Sequence, residues 1–242
     1  MRRTVRFGLL PVVVLAVAAV VGLSAYSAVA PRLRALSWDL DIERAMDAAG
    51  VAQGMVVGEA GAGDGYFTLP MARRVGSEGA IYANDISKRV LTSLAENARR
   101  EQLPNVHTVE GAIDDPRFPR QDLELVVVVH AFHDFSKPVE WLVNARKYLR
   151  PGGAVAIIDV DPDQGRHDSH FWTRERILEY AASAGYEKAK LVDDISKHLI
   201  IVLKPRVTTG KNRPQAVPPP AYVFLRLPKV ECAVEPAALL QP

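Results

Sequence analysis

Met55-Val56-Val57-Gly58-Glu59-Ala60-Gly61-Ala62-Gly63-Asp64-Gly65 is the stretch on which the reading of this chain turns. Met55-Val56-Val57 reads as a buried strand, and a helix-forming segment ending near Arg74 follows the glycines. Glycine suits such a strand-to-helix turn because the chain bends sharply and its backbone approaches a ligand more closely than any Cβ would allow. The helix behind it presents free N–H groups. At the carboxyl ends of a parallel sheet the expected ligand is nucleotide-like. A dinucleotide fingerprint, G-x-G-x-x-G, counted from Gly61 needs a third glycine at position 66, where the chain has Tyr66. The spacing present is acidic-x-Gly-x-Gly-x-Gly.

On both sides of this turn, strand-like and helix-like stretches alternate, which is the mark of an α/β protein with a parallel sheet. Upstream, Leu40, Ile42, Ala45, Met46 and Ala49 form one helical face between a cap at Asp39 or Asp41 and a stop at Gly50. Downstream, Ala80 to Ala83 is a second strand, with Asp85 at its end. A carboxylate there can accept from two ribose hydroxyls, or it can cap the helix that Ser87 opens and that runs to about Glu101. Asn105 to Val109 is a third strand. Leu123 to Val129 is a fourth strand, apolar apart from Glu124 and unbroken from Leu125 on, as expected of a strand covered on both faces. Pro138 opens a helix to Leu149, and Pro151-Gly152-Gly153 breaks the chain before a strand over Ala154 to Ile158. Thr173 caps a helix to Ala184. Lys188 to Val192 and His198 to Leu203 are close enough to pair antiparallel.

The glycine spacing resembles motif I of the class I S-adenosylmethionine-dependent methyltransferases. The likeness continues in order through Tyr66-Phe67-Thr68, Ala72-Arg73-Arg74-Val75-Gly76, the segment His130-Ala131-Phe132-His133-Asp134-Phe135 and Leu149-Arg150-Pro151-Gly152-Gly153. These resemble the ubiquinone/menaquinone-biosynthesis-type branch. The resemblance implies a Rossmann-like fold whose seven-stranded, mostly parallel sheet carries helices on both faces and an antiparallel last strand. It implies S-adenosylmethionine as cofactor, with Glu59, Gly61 and Gly63 along its methionine part and Ala62, Gly65 and Tyr66 beside them. Asp85 and Ile86 would meet the ribose, and Ala112, Ile113 and Asp114 the adenine. Many members carry an acidic residue directly after Gly111, where this chain has Ala112. Either Asp114 substitutes, or backbone groups and apolar contact hold the ring.

Methyl transfer from a sulfonium needs alignment and exclusion of water, with no metal or protein nucleophile. Where the acceptor must lose a proton, histidine suits the task, and His130 and His133, after the fourth strand, are the catalytic candidates. Two imidazoles and a carboxylate also fall together in His167-Asp168-Ser169-His170. Loop histidines beside Asp and Ser are ordinarily solvated or capping groups, so no metal is expected there. Tyr66, Phe132, Phe171 and Trp172 are candidates for an apolar acceptor pocket, or for plain packing.

A net charge of +2 without a long basic run excludes a phosphate-backbone track, so no nucleic acid partner is expected. The lone Cys232 excludes an internal disulfide and a cysteine-ligated metal. Arg2, Arg3 and Arg6 precede a charge-free apolar run from Phe7 to Leu23, and Ala28-Val29-Ala30 has the form of a signal-peptidase site. Residues 1–30 therefore read as a signal peptide or a membrane anchor, 31–50 as a lead-in helix, 51–204 as the methyltransferase domain and 205–242 as a Pro-rich, extended tail. The chain is expected to be membrane-associated or exported, and to act on a small, lipophilic acceptor. An exported protein that keeps the fold as a non-catalytic binding module is the competing reading.

Overall fold

The computed structural model describes residues 40–164 and 170–206. The expectations for residues 1–39, for His167-Asp168-Ser169 and for the tail beyond 206 lie outside the described residues. Among those described, no helix is long and apolar enough to cross a membrane.

The chain enters through helix α1, Ile42–Ala49, capped by the Asp41 carboxylate accepting from Arg44 N at 3.1 Å and stopped by Gly50 in the left-handed region at φ 85°. Then follow β1 (Val56–Ala60), α2 (Thr68–Val75), β2 (Ala80–Asp85), α3 (Lys88–Arg100), β3 (Val106–Glu110), β4 (Leu123–Val129), α4 (Pro138–Ala145), β5 (Leu149–Val160), α5 (Arg174–Ser183), β6 (Tyr186–Ile195) and β7 (His198–Pro205). The seven strands form one sheet in the order β3-β2-β1-β4-β5-β7-β6. The pairs among β1 to β5 are parallel, and β7 runs antiparallel to both neighbours. The expected fold class is the observed one.

Alternate side chains of the central strands feed two apolar layers. Val127, Ala156 and Ile158 join α1 and α2 on one face, with Met46, Met71 and Val75. Val126, Val128, Val155 and Ile157 join α4 and α5 on the other, with Trp141, Leu142 and Ile177. Burial on both faces is why β4 carries no polar residue after Glu124.

The strand edges differ from expectation in two places. The first strand continues past Val57 to Ala60, because Gly58 is a packing device within it. A Cβ there would stand 2.7 Å from Phe118 Cζ and 2.9 Å from Leu123 Cδ1. The fifth strand begins at Leu149 and runs through Pro151-Gly152-Gly153. Its register with β4 jumps from Leu123↔Leu149 to Leu125↔Ala154, so the Pro-Gly-Gly residues are absorbed as a bulge.

The β1–β4 crossover places the carboxyl ends of β1, β2 and β4 side by side, which is where ligands bind in such sheets. Substituting Gly58→Ala is expected to cost about 1–3 kcal/mol through overpacking against Phe118, read as a lowered urea midpoint with unchanged denaturant slope. Wild-type stability would show that the ring moves aside freely.

Candidate cofactor site

The loop from Gly61 to Tyr66 turns through three left-handed glycines, at φ 72° for Gly61, 55° for Gly63 and 102° for Gly65. Each is required for a different reason. A Cβ on Gly61 would overlap that of Ala131, so this glycine lets the loops after β1 and β4 touch. A Cβ on Gly65 would stand 2.6 Å from Leu94 Cδ1, so Gly65 seats α3. A Cβ on Gly63 would meet nothing within 4 Å and would project into open space.

Asp85 closes the end of β2 against this loop. One carboxylate oxygen accepts from Gly63 N at 3.1 Å and the other from Ser87 N at 2.8 Å. The Ser87 side chain makes no cap bond; the Asp85 carboxylate instead holds the amide of Ser87, the residue that precedes α3. Holding this amide and binding a ribose are therefore compatible, since each oxygen keeps a further acceptor site for a hydroxyl.

Two hollows flank Gly61. One, of about 230 Å³, is lined by Gly61, Asn84, Asp85, Ile86, Ala112, Ile113, Ala131, Asp134, Phe135, Ser136 and Trp141. The other, of about 190 Å³, is lined by Glu59, Gly61, Ala62, Gly63, Asp64, Tyr66, Phe67, Val129 and His130. Neither alone reaches the roughly 300–1,000 Å³ usual for a ligand cleft. A ligand that crosses Gly61 occupies both. At the outer end Ile86 and Ile113 line the hollow and are 61% and 52% exposed, so they offer apolar surface to a flat ring. At the inner end the Tyr66 hydroxyl is buried and has no hydrogen-bond partner among the described residues, which leaves it available to a polar ligand group. The residues thus fit an elongated ligand with a flat ring at one end, a sugar in the middle and polar groups at the other. Asp114 is not among the residues that line either hollow: its carboxylate faces Lys137 Nζ at 3.4 Å and its carbonyl accepts from Asn144 Nδ2. Apolar contact and the backbone of Ala112 and Ile113 are what the chain offers an aromatic ring.

The inner hollow is electrostatically unusual. Glu59 is buried, and its carboxyl is pushed up to about 8 by desolvation, opposed by the hydrogen bond from Thr68 Oγ1 and reinforced by the charge of Asp85. His130 is held down to about 3 by burial and by His198 and His133, and stays neutral at physiological pH. A neutral imidazole and a carboxyl poised to ionise make a pocket that welcomes a cation.

Residues 57–153 match the family model described as a methyltransferase domain. A ubiquinone/menaquinone biosynthesis C-methyltransferase of Idiomarina loihiensis is 27% identical over 115 residues, 47% of this chain and 46% of that protein. A demethylmenaquinone methyltransferase of a Geobacillus species is 25% identical over 126 residues, 52% and 53% of the two chains. The chain spans about half the length of these curated relatives. An S-adenosylmethionine-dependent methyltransferase of Aquifex aeolicus superposes with a TM-score of 0.62 at 22% identity, over 68% of this chain and 88% of the other. The fold is that of a class I methyltransferase. Residues 57–153 match the methyltransferase-domain model and resemble the quinone-biosynthesis branch, and the cofactor that goes with this fold is S-adenosylmethionine.

The methyltransferase fold separates the two histidine candidates. His130 lines the inner hollow, whereas His133 lines neither hollow. His133 is buried, and its Nδ1 meets both oxygens of Asp159 at 2.9 and 2.8 Å. The expected aromatic pocket is not assembled: Phe132 is core, packed against Phe135 and Trp172, and Phe171 lies edge-on to His133. Trp141 and Phe135 line the outer hollow instead. Sequence reading missed them, along with Asn84, Thr68 and Asp159. Only Asp159 had a signal, a carboxylate at the end of an apolar strand.

Folded Glu59 binds its proton up to about pH 8, whereas an unfolded glutamate releases it near 4. Above pH 5 its burial therefore subtracts stability progressively until the folded group ionises. Glu59→Gln is expected to have a higher Tm than wild type at pH 8, with the difference shrinking toward pH 5, as read by calorimetric scans across that range. A constant difference at all pH values would contradict the assignment.

Proposed function

We propose that this chain binds S-adenosylmethionine across the two hollows and transfers its methyl group to a small, lipophilic acceptor of the quinone-precursor type. Gly61 carries the reading: a side-chain-free crossing joins a cation-accepting pocket to a ribose-accepting carboxylate and an apolar slot. No other part of the described chain combines these three. Glu59 and Tyr66 face the charged methionine end, Asp85 the two sugar hydroxyls, and Ile86 and Ile113 the adenine faces. Bound there, the cofactor supplies an electrophilic methyl; its sulfur leaves as a thioether as the acceptor's lone pair forms the new bond. His130, neutral and rigidly placed by its backbone bond to Ile158 O, walls the methyl side without adding a competing cation. The acceptor class rests on the quinone-methyltransferase relatives. An apolar segment over residues 7–23 would keep the domain beside a bilayer in which such acceptors dissolve.

The test is calorimetric titration of the full-length protein with S-adenosylmethionine, followed by transfer of a labelled methyl group to a prenylated naphthoquinol. One cofactor per chain is expected. Asp85→Ala should weaken binding by about 100-fold, the loss of two hydrogen bonds to a charged acceptor. Absence of saturable binding in wild type overturns the proposal.

A second expectation follows from Glu59. Below about pH 8 the cationic ligand must displace its proton, so affinity should rise with pH from 6 toward 8 and proton release should accompany binding. In Glu59→Gln the rise should vanish. A rise that persists in the variant would assign it to another group.

A further inference from the structure

The short helical turn Phe132–Asp134 after β4 holds His133 and Asp134, and the segment leading to α5 brings His170 to them from 37 positions further along the chain. His133 Nε2 stands 3.6 Å from one oxygen of Asp134, and His170 Nε2 stands 3.8 Å from the other. One ligand atom from each of the three residues lies within 4.8 Å of the other two. Two imidazoles thus converge on a single carboxylate.

Three observations say what this convergence is for. First, the Asp159 carboxylate grips Nδ1 of His133 at 2.8 Å, so the ring proton sits there and the lone pair of Nε2 points to Asp134 and His170. A buried carboxylate orienting a histidine in this way is the usual outer support of a metal-binding imidazole. Second, the two rings lie with centroids 4.7 Å apart at 68°. Third, the partners are held in place. Trp172 packs edge-on against Phe132 and at a tilt against Tyr180 of α5, and Phe171 packs edge-on to His133, anchoring the segment that carries His170.

We propose that His133, Asp134 and His170 form a three-ligand site for a divalent transition metal, Zn²⁺ by its preference for imidazole and carboxylate. The separations exceed the about 3.4 Å between ligands of a tetrahedral Zn²⁺ with bonds of about 2.1 Å, so the site closes slightly on the ion. The Asp134 and His170 side chains are 66% and 58% exposed, so an ion reaches them from solvent. Asp134 also lines the outer hollow. The metal site stands apart from the cofactor reading in its two histidines, because His133 and His170 line neither hollow.

The experiment uses untagged, full-length protein stripped with a chelator and titrated with Zn²⁺ against a chromophoric competitor, with Co²⁺ as a spectroscopic probe. One equivalent is expected to bind with Kd below about 1 µM, and Co²⁺ should give the intense visible bands of a low-coordinate nitrogen–oxygen site. His170→Ala removes an exposed side chain and should weaken Zn²⁺ binding by at least about 10-fold. Asp159→Asn should weaken it by about 10–100-fold through the second layer. Titration with S-adenosylhomocysteine tells the two proposals apart: His170→Ala should retain wild-type affinity for it while losing the metal. Absence of stoichiometric Zn²⁺ binding in the wild type overturns the site. So does Zn²⁺ affinity unchanged in His170→Ala, which would place the ion on other residues.

Discussion

The Asp85 carboxylate holds two backbone N–H groups at once, those of Gly63 and Ser87. It thereby ties the turn after β1 to the residue that precedes α3. The rest of the site depends on that tie. It holds Gly63 in a left-handed conformation, and because glycine has no Cβ the hollow above it stays open. It also keeps the carboxylate at the crossing between the two cavities instead of turned to solvent. The sheet underneath makes this stable: β1 lies between β2 and β4, and its carboxyl end is fixed by pairing on both sides.

The site carries its chemistry at a cost in stability. Glu59 lies in the interior, where its ionised form is disfavoured, with Thr68 as the hydrogen-bond donor that makes the burial tolerable. His130 occupies a left-handed backbone conformation at φ 48°, uncommon for a residue with a side chain. Both features sit at the carboxyl ends of β1 and β4, and both shape the same hollow. Strain and desolvation gathered at one spot are what a binding site of this kind requires. Elsewhere the two apolar layers are conventional.

Much of this was legible in the chain. The alternation of strand and helix, the unbroken β4 and the spacing of Gly61, Gly63 and Gly65 announced the fold and the place of the site. What local patterns could not supply was which partner each residue meets. Gly58 reads as the end of a strand until Phe118, sixty residues on, is seen to fill the space above it. Gly65 belongs to the same motif as Gly63, yet Leu94 determines its role. Asp114 lay near enough to the adenine loop to be a candidate, but Lys137 and Asn144 draw it away. The His133–Asp159 pair joins the ends of two adjacent strands, a proximity set by the sheet order and invisible along the sequence.

The central claim is that the space above Gly63 belongs to a ligand. Asparagine tolerates the left-handed backbone better than other side chains, so Gly63→Asn fills that space while disturbing the turn least. Titration of this variant with S-adenosylhomocysteine is the most direct measurement. The account predicts a folded protein, with Tm within a few degrees of wild type, that has lost at least about 30-fold in affinity, equivalent to roughly 2 kcal/mol. A folded Gly63→Asn protein that binds as tightly as the wild type would contradict it.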